Sequence, residues 1–280
     1  MAKYSEEDHE FIDYKIATIP GLSFKVRDGS VDHRVMSLGS AATFGRFVQK
    51  PYSSFIGSSN LGVGGARPES YLKEPAVPAL LAHKEHCIVE IMSARGYEND
   101  VFKPLNHLTN MVTIKKEYAD LLETDDPAKP VFVDAVWRRL FRKNADLAHH
   151  VALTCQNRWL MDLRALASFC KEASVLLLTQ SDLPQEVLAI EHYRFPHLIT
   201  EPMLNQLAER RFLVHRVVSK AGLPQHLASP DGTRFSLMKG WPDPTLNAYY
   251  PSPEMHAEAG KVLKSFLDAR AAAAVDTPAG

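Results

Sequence analysis

The chain has few cysteines, and their arrangement excludes two classes of protein. Cys87, Cys155 and Cys170 are its only three in 280 residues, and none is paired in a C-x-x-C spacing. An odd number of scattered cysteines is typical neither of a disulfide framework nor of a zinc ribbon. The fold must therefore depend on an apolar core, and 45% hydrophobic residues are enough to build one.

Long apolar runs and an excess of charge of one sign are also missing. No run approaches the roughly 20 apolar residues of a membrane-spanning helix, and the opening MAKYSEEDHE is too acidic and polar for a signal peptide. Lys and Arg number 32 against 33 Asp and Glu, so the formal charge of −1 creates no general attraction to nucleic acid or anionic lipid. We expect a cytoplasmic protein with neither a nucleic-acid nor a membrane partner.

Five short apolar runs, separated by longer helix-like segments, predict a sheet. The runs are Arg34–Gly39, Asn60–Val63, Cys87–Met92, Val175–Thr179 and Phe212–Val218. Continuous rather than alternating apolar residues suit parallel strands that are buried on both faces. The sequence therefore predicts an α/β three-layer sandwich around a five-stranded, mainly parallel sheet, with its ligand beyond the carboxyl ends of the strands.

We expect a single domain over residues 1–270 and a disordered tail over residues 271–280. The segment 97–156 is longer than one crossover requires, and we interpret it as a mostly helical insertion. Helices are predicted at Val131–Lys143, Leu147–Phe169, Glu186–Ile190, Pro202–Arg211 and Pro253–Ala274.

Three stretches stand at places where chemistry is expected. Residues 39–45 (GSAATFG) and 60–65 (NLGVGG) end predicted strands, and residues 250–256 (YPSPEMH) open the last helix. Small residues after a strand let the backbone approach a ligand, and their N–H groups can stabilise developing negative charge. Together with His256, these stretches predict a hydroxyl, several amides and an imidazole around one crevice.

The order and spacing of these stretches resemble the SGNH (GDSL-type) hydrolases and acyltransferases. That family has a G-D-S-x-T-x-G block, then an Asn with Gly five residues later, and finally D-x-x-H. The matching residues here are Gly39, Thr43, Gly45, Asn60, Gly65 and His256. The resemblance implies a flavodoxin-like, SGNH-like sheet. It also implies an enzyme of ester hydrolysis or acyl (or similar group) transfer on a carbohydrate or small metabolite.

The chain departs from this pattern at three positions, one of which is Ser40 in the place of the family's Asp, and the family's third block, G-x-N-D, is also altered. Ala41 occupies the place of the family's nucleophilic Ser, and Pro253 occupies the place of its last acid. Ser40 can supply the nucleophile if the turn is shifted by one residue, with Thr43 as a second candidate. Ser40 can equally do no more than cap the following helix. Asp243, just before the last block, can replace the missing acid, and Trp241 beside it can line a pocket.

The resemblance implies a role for each remaining residue. His256 would be the general base, while amides near Ser40 and Gly65 and the side chain of Asn60 would hold the oxyanion.

A second hypothesis is a transferase without a covalent intermediate. In it His256 deprotonates an acceptor hydroxyl, and the glycine turn at Gly62 and Gly65, with Arg67 or Arg95, holds an anionic donor such as coenzyme A or a nucleotide sulfate. The glycines can also form no more than a tight turn.

A third hypothesis is a non-catalytic protein that binds a ligand in the same crevice. Histidine spacing provides no metal motif, and we expect no metal and no resident cofactor.

Overall fold

The computed structural model describes residue 12 and residues 14–187, 195–210, 212–228, 233–234, 236 and 243–275. The strands are β1 (Ile16–Thr18), β2 (Lys25–Arg27), β3 (Val35–Gly39), β4 (Ser58–Gly62), β5 (His86–Glu90), β6 (Phe102–Pro104), β7 (Met111–Ile114), β8 (Val131–Phe132), β9 (Ala173–Thr179), β10 (Leu213–Val218), β11 (Gln225–His226) and β12 (Leu246–Asn247). The helices are α1 (Ala41–Phe44), α2 (Tyr52–Phe55), α3 (Pro68–Leu72), α4 (Ala76–Ala82), α5 (Val133–Lys143), α6 (Ala145–Ser168), α7 (Glu201–Glu209) and α8 (Pro253–Val275). Within this part of the chain, each helix is too short or too polar to cross a lipid bilayer.

The central sheet has the strand order β4-β3-β5-β9-β10, and all of its neighbouring strands are parallel. Numbered along the chain, this is the 2-1-3-4-5 order of a flavodoxin-like sheet. The predicted α/β fold with five parallel strands is confirmed, and each apolar run corresponds to one of these strands.

Both faces of the sheet are buried, which explains why the runs are continuous. On β9, Val175 and Leu177 belong to the larger core, which includes side chains of α3 to α7. The intervening Leu176 and Leu178 belong to a smaller core beneath α8. Successive side chains of a strand point to opposite faces, so a strand covered on both sides needs an apolar residue at every position.

The expected insertion over residues 97–156 is not mostly helical in its first part. β6, β7 and β8 form a separate antiparallel sheet. On β7 only Val112 and Ile114 are buried, so the strand alternates over just four residues, too few for periodicity to reveal it. The helices predicted in the second part are present as α5 and α6, and Asn144 caps α6 by accepting from the Leu147 N–H at 3.0 Å.

Two predictions near the end of the chain need correction or lie outside the described residues. The tail predicted from Ala271 is helical as far as Val275, because its alanines have the highest helix propensity of any residue. The predicted Pro202–Arg211 helix corresponds to α7. Trp241 and residues 188–190 of the predicted Glu186–Ile190 helix are not among the described residues.

Candidate active site

A cavity of about 410 Å³ opens beyond the carboxyl ends of β3, β4 and β5. Chain order along the sheet reverses between β3 and β5, so this is the switch point at which open α/β sheets bind ligands. The predicted site residues Ser40, Gly65, Arg67 and Arg95 line the cavity. The other predicted site residues form a packed layer behind the cavity and are not among its described lining residues. They are Thr43, Asn60, Gly62 and His256.

The turn after β3 is organised by a carboxylate that comes from the neighbouring strand. Glu90, at the end of β5, is fully buried. Its Oε1 accepts from Ser40 Oγ at 2.5 Å, and its Oε2 accepts from Ser40 N at 2.9 Å. Oε2 also accepts from the backbone N and Oγ1 of Thr43 at 2.7 and 2.5 Å. Burial raises the pKa of Glu90, and the hydrogen bonds from Ser40 and Thr43 oppose that increase.

The structure is compatible with both interpretations of Ser40, as the cap of a helix and as a candidate nucleophile. Ser40 is the N-cap of α1, where its Oγ accepts from the Ala42 N–H at 3.4 Å. Ser40 also lines the cavity, and its hydroxyl donates to Glu90. Thr43 is fully buried, and its Oγ1 lies 2.9 Å from the Tyr52 hydroxyl. The second candidate nucleophile therefore has no access to the cavity.

Steric crowding explains why glycine is needed in the two turns. A Cβ on Gly39 would lie 2.0 Å from Thr43 Oγ1, and one on Gly62 would lie 2.1 Å from the backbone N of Phe44. Gly45 ends α1 in the left-handed region at φ 76°. The spacing of Gly39, Thr43 and Gly45 thus follows from folding a short helix tightly over two strand ends.

Asn60 does not have the oxyanion-binding geometry that the resemblance implied. Its Nδ2 donates to Thr43 O at 2.7 Å and to Ser53 Oγ at 2.8 Å, which uses both amide hydrogens. Its Oδ1 accepts from the Gly62 N–H at 2.9 Å, so that backbone donor is also occupied. Asn60 and Gly62 hold the two turns together instead of facing a ligand.

The structure does not bring His256 to Ser40. His256 has no exposed surface, its Nδ1 accepts from the Tyr52 backbone N–H at 3.2 Å, and its ring stacks on that of Tyr52. Its Nε2 is buried with no hydrogen-bond partner in the described part of the chain. Burial, and to a lesser extent the charge of Arg27, lowers the pKa of His256 to about 3.

The proposed acid substitute, Asp243, is exposed and accepts from the backbone N and Oγ1 of Thr245.

Two arginines provide the charge of the cavity wall. Arg67 is 2% exposed, pairs with Glu69 at 3.3 Å, and has a buried Nε without a partner among the described residues. Arg95 pairs with Asp134 at 2.8 Å. The two carboxylates are not in the lining, and its described residues include no other Asp or Glu. The described lining therefore includes two arginines and no acid. No group of three or more described His, Cys, Asp or Glu side chains is placed to hold a metal ion.

A family model described as "Domain of unknown function (DUF6473)" matches residues 3–271. The chain belongs to this family. No curated protein is significantly similar to this DUF6473 chain.

Solved structures similar to this DUF6473 protein have low sequence identity. One, named as a lipolytic protein of the G-D-S-L family from Desulfitobacterium hafniense DCB-2, is 11% identical with a TM-score of 0.37, over 82% of this chain and 97% of the other. The lipase Lip_vut3 from a goat rumen metagenome is 12% identical with a TM-score of 0.36, over 82% and 95%. A protein named as an acylhydrolase from Bacteroides fragilis NCTC 9343 is 10% identical with a TM-score of 0.37, over 96% of both chains.

Sequence reasoning missed three residues at this site. Glu90 was visible as a charge at the end of an otherwise apolar strand, which is a signal for a buried, partnered carboxylate. Tyr249 lines the cavity and its hydroxyl lies 2.8 Å from His197 Nε2. These two residues lie in irregular segments, and no sequence pattern distinguishes them.

Proposed function

We propose that this protein is an enzyme that hydrolyses an ester, or transfers an acyl or similar group, on a small anionic metabolite. Ser40 is the nucleophile and Glu90 accepts its proton. The observation that carries the proposal is that Ser40 lines the cavity and that its hydroxyl donates at 2.5 Å to a fully buried carboxylate. A hydroxyl nucleophile needs a base within hydrogen-bond reach, and a carboxylate whose pKa is raised by burial is suited to that task.

The positive charge of the arginines in the cavity wall favours an anionic substrate. Arg67 and Arg95 are held by Glu69 and Asp134, so their guanidinium groups are oriented before a ligand arrives. Guanidinium groups bind carboxylate, phosphate and sulfate by charge-assisted hydrogen bonds. The Gly64–Gly65 turn brings backbone to the same wall without side chains.

The test is the intact mass of the protein after incubation with a fluorophosphonate, which labels activated serines. We expect one adduct on the wild-type protein and none on Ser40→Ala. In Glu90→Gln the amide oxygen can take the three bonds now made by Oε2, while the amide nitrogen faces Ser40 Oγ and cannot accept its proton. We therefore expect Glu90→Gln to remain folded and to react at least about 100-fold more slowly.

His256→Gln is the matched control, because the sequence pattern and the structure disagree about that residue. His256 does not contact Ser40, so the variant is expected to label at the wild-type rate. Loss of labelling in a folded His256→Gln protein would restore the Ser40–His256 pair. Absence of any adduct on the wild-type protein would contradict the nucleophile.

The two arginines favour a second candidate, a transferase that holds an anionic donor and forms no covalent intermediate. Positioning alone can supply much of the rate in such an enzyme. Thermal stabilisation by coenzyme A or a nucleotide sulfate, without a fluorophosphonate adduct, would support it. Stabilisation by such a ligand with no turnover in the presence of acceptor alcohols would instead support the non-catalytic binding protein.

A further inference from the structure

A tyrosine–histidine pair on the cavity wall has no place in the chemistry described so far. Tyr249 lines the cavity, and its Oη lies 2.8 Å from His197 Nε2 while the two rings stack with centroids 6.2 Å apart. The Arg95 guanidinium also hydrogen-bonds to the Tyr249 side chain. A guanidinium only donates, so Oη accepts from Arg95.

His197 is fixed by the segment that follows β5. It is 3% exposed, and its backbone N–H donates to Ser93 Oγ at 3.0 Å. Its carbonyl accepts from the Ala94 N–H at 2.9 Å, and the ring of Phe195 packs edge-on against the imidazole at 6.1 Å. Ser93 and Arg95 border the cavity as well. The position of the Tyr249 hydroxyl is thus set by the end of the strand that also carries Glu90.

The phenol of Tyr249 carries the proton that a general acid must give. Burial raises its pKa, and the nearby Arg95 charge opposes that increase, so the hydroxyl keeps its proton at neutral pH. After the proton has left, the Arg95 guanidinium stabilises the phenolate. Ser40 has a proton acceptor in Glu90, and a separate donor on the wall can protonate the leaving oxygen while Glu90 keeps the proton of Ser40.

We propose that Tyr249 is the general acid that protonates the leaving oxygen, and that His197 is the residue that positions it. The inference rests on the proposed function of Ser40 and Glu90. It assigns the leaving group a proton donor on the cavity wall, whereas His256, the general base that the resemblance implied, is buried behind that wall.

The proton transfers balance over the two half-reactions. Ser40 Oγ attacks the carbonyl carbon and its proton passes to Glu90, while the bond to the leaving oxygen breaks and that oxygen takes the proton of Tyr249. Water then attacks the acyl group and gives a proton to the Tyr249 phenolate, and Ser40 Oγ departs with the proton held by Glu90. The sum is ester plus water to acid plus alcohol, with both side chains returned to their first state.

The test compares two esters that differ in their need for an acid. The 4-nitrophenolate of 4-nitrophenyl acetate departs without protonation, whereas the ethoxide of ethyl acetate requires it. We expect Tyr249→Phe, which keeps the stacked ring, to lower kcat/KM for ethyl acetate about 100-fold or more and for 4-nitrophenyl acetate less than about threefold. His197→Phe should show the same dependence on the leaving group with a smaller ratio.

Tyr250→Phe is the matched control. Tyr250 also lines the cavity, but its hydroxyl accepts from Arg46 at 2.9 Å and does not contact His197. We expect it to change both ester rates by the same small factor. An equal loss for both esters in Tyr249→Phe would overturn the inference and leave the proposed function intact. Absence of wild-type turnover of either ester, together with no fluorophosphonate adduct, would overturn both.

Discussion

The cavity wall and the packed layer behind it use polar residues in opposite ways. On the wall, Ser40 and Arg67 line the cavity, and the buried Nε of Arg67 has no partner among the described residues. Behind the wall, Asn60 uses both hydrogens of its amide and its oxygen within the protein. Residues that line the cavity can therefore meet a ligand, whereas Asn60 holds the turns together.

This difference explains why a motif match is an incomplete guide to a site. Gly39, Thr43 and Asn60 are required by the way a short helix folds over two strand ends, whatever the chemistry in front of it. Their spacing can persist where the catalytic residues differ. Substitutions behind the wall should accordingly affect stability, and substitutions on the wall should affect ligands.

The largest effect is expected for Gly62→Ala, behind the wall. A Cβ there would lie 2.1 Å from the Phe44 backbone N and 2.6 Å from the Thr43 carbonyl carbon, so α1 must move away from β4. Backbone cannot yield as a flexible side chain does, and we expect a loss of at least about 3 kcal/mol in the free energy of unfolding. Urea unfolding followed by circular dichroism measures it.

Gly65→Ala is the comparison on the wall. Gly65 has φ 78°, and the nearest atom to an added Cβ is Leu108 O at 3.2 Å. The left-handed backbone costs about 1–2 kcal/mol for an L-residue, so this variant should remain folded. Equal losses for the two variants would show that the two turns are not sterically different.

The sequence was sufficient for the sheet but not for the site. The five strands could be predicted because burial on both faces leaves continuous apolar runs, as in Val175–Thr179. The register of Ser40 against Glu90 depends on which strands become neighbours, and β3 and β5 are separated by an entire strand and four helices in the chain. The sequence indicates His256 as a general base only by its place near the C-terminus. Whether it can reach Ser40 depends instead on how α8 packs over Tyr52.

An effect of intermediate size is expected for the pH dependence of stability in His256→Gln. The pKa of His256 is about 3 in the folded protein, against an ordinary value of 6.5. Below pH 6.5 the unfolded chain binds a proton at this residue and the folded protein does not, so stability falls as pH falls. Between pH 6.5 and 4.5, wild-type should lose about 2–3 kcal/mol more than the variant.

The measurement is the free energy of unfolding in urea at both pH values. Burial also lowers the pKa values of His86 and His215, but these residues are present in both proteins, so the difference isolates His256. Equal pH dependence in the two proteins would mean that His256 reaches solvent. The same variant, labelled at the wild-type rate by the fluorophosphonate, would place His256 firmly behind the wall.

The smallest effect is expected on the wall, for Arg95→Gln. The substitution removes a positive charge from the cavity lining and the ion pair with Asp134, which is partly exposed and can be solvated. A charge-assisted hydrogen bond contributes about 1.5–3 kcal/mol. We expect at least about tenfold weaker binding of whichever of coenzyme A and adenosine 5′-phosphosulfate stabilises the wild-type protein, measured by calorimetry.

Arg158→Gln is the matched control, because Arg158 is exposed, donates to Glu98 O and is not among the described lining residues. It removes the same charge from the whole protein, so general electrostatic attraction falls equally in both variants. Because the wall acts by contact, only Arg95→Gln should weaken binding. Equal weakening in both variants would show that the ligand responds to net charge, and the wall would then not differ from the rest of the surface.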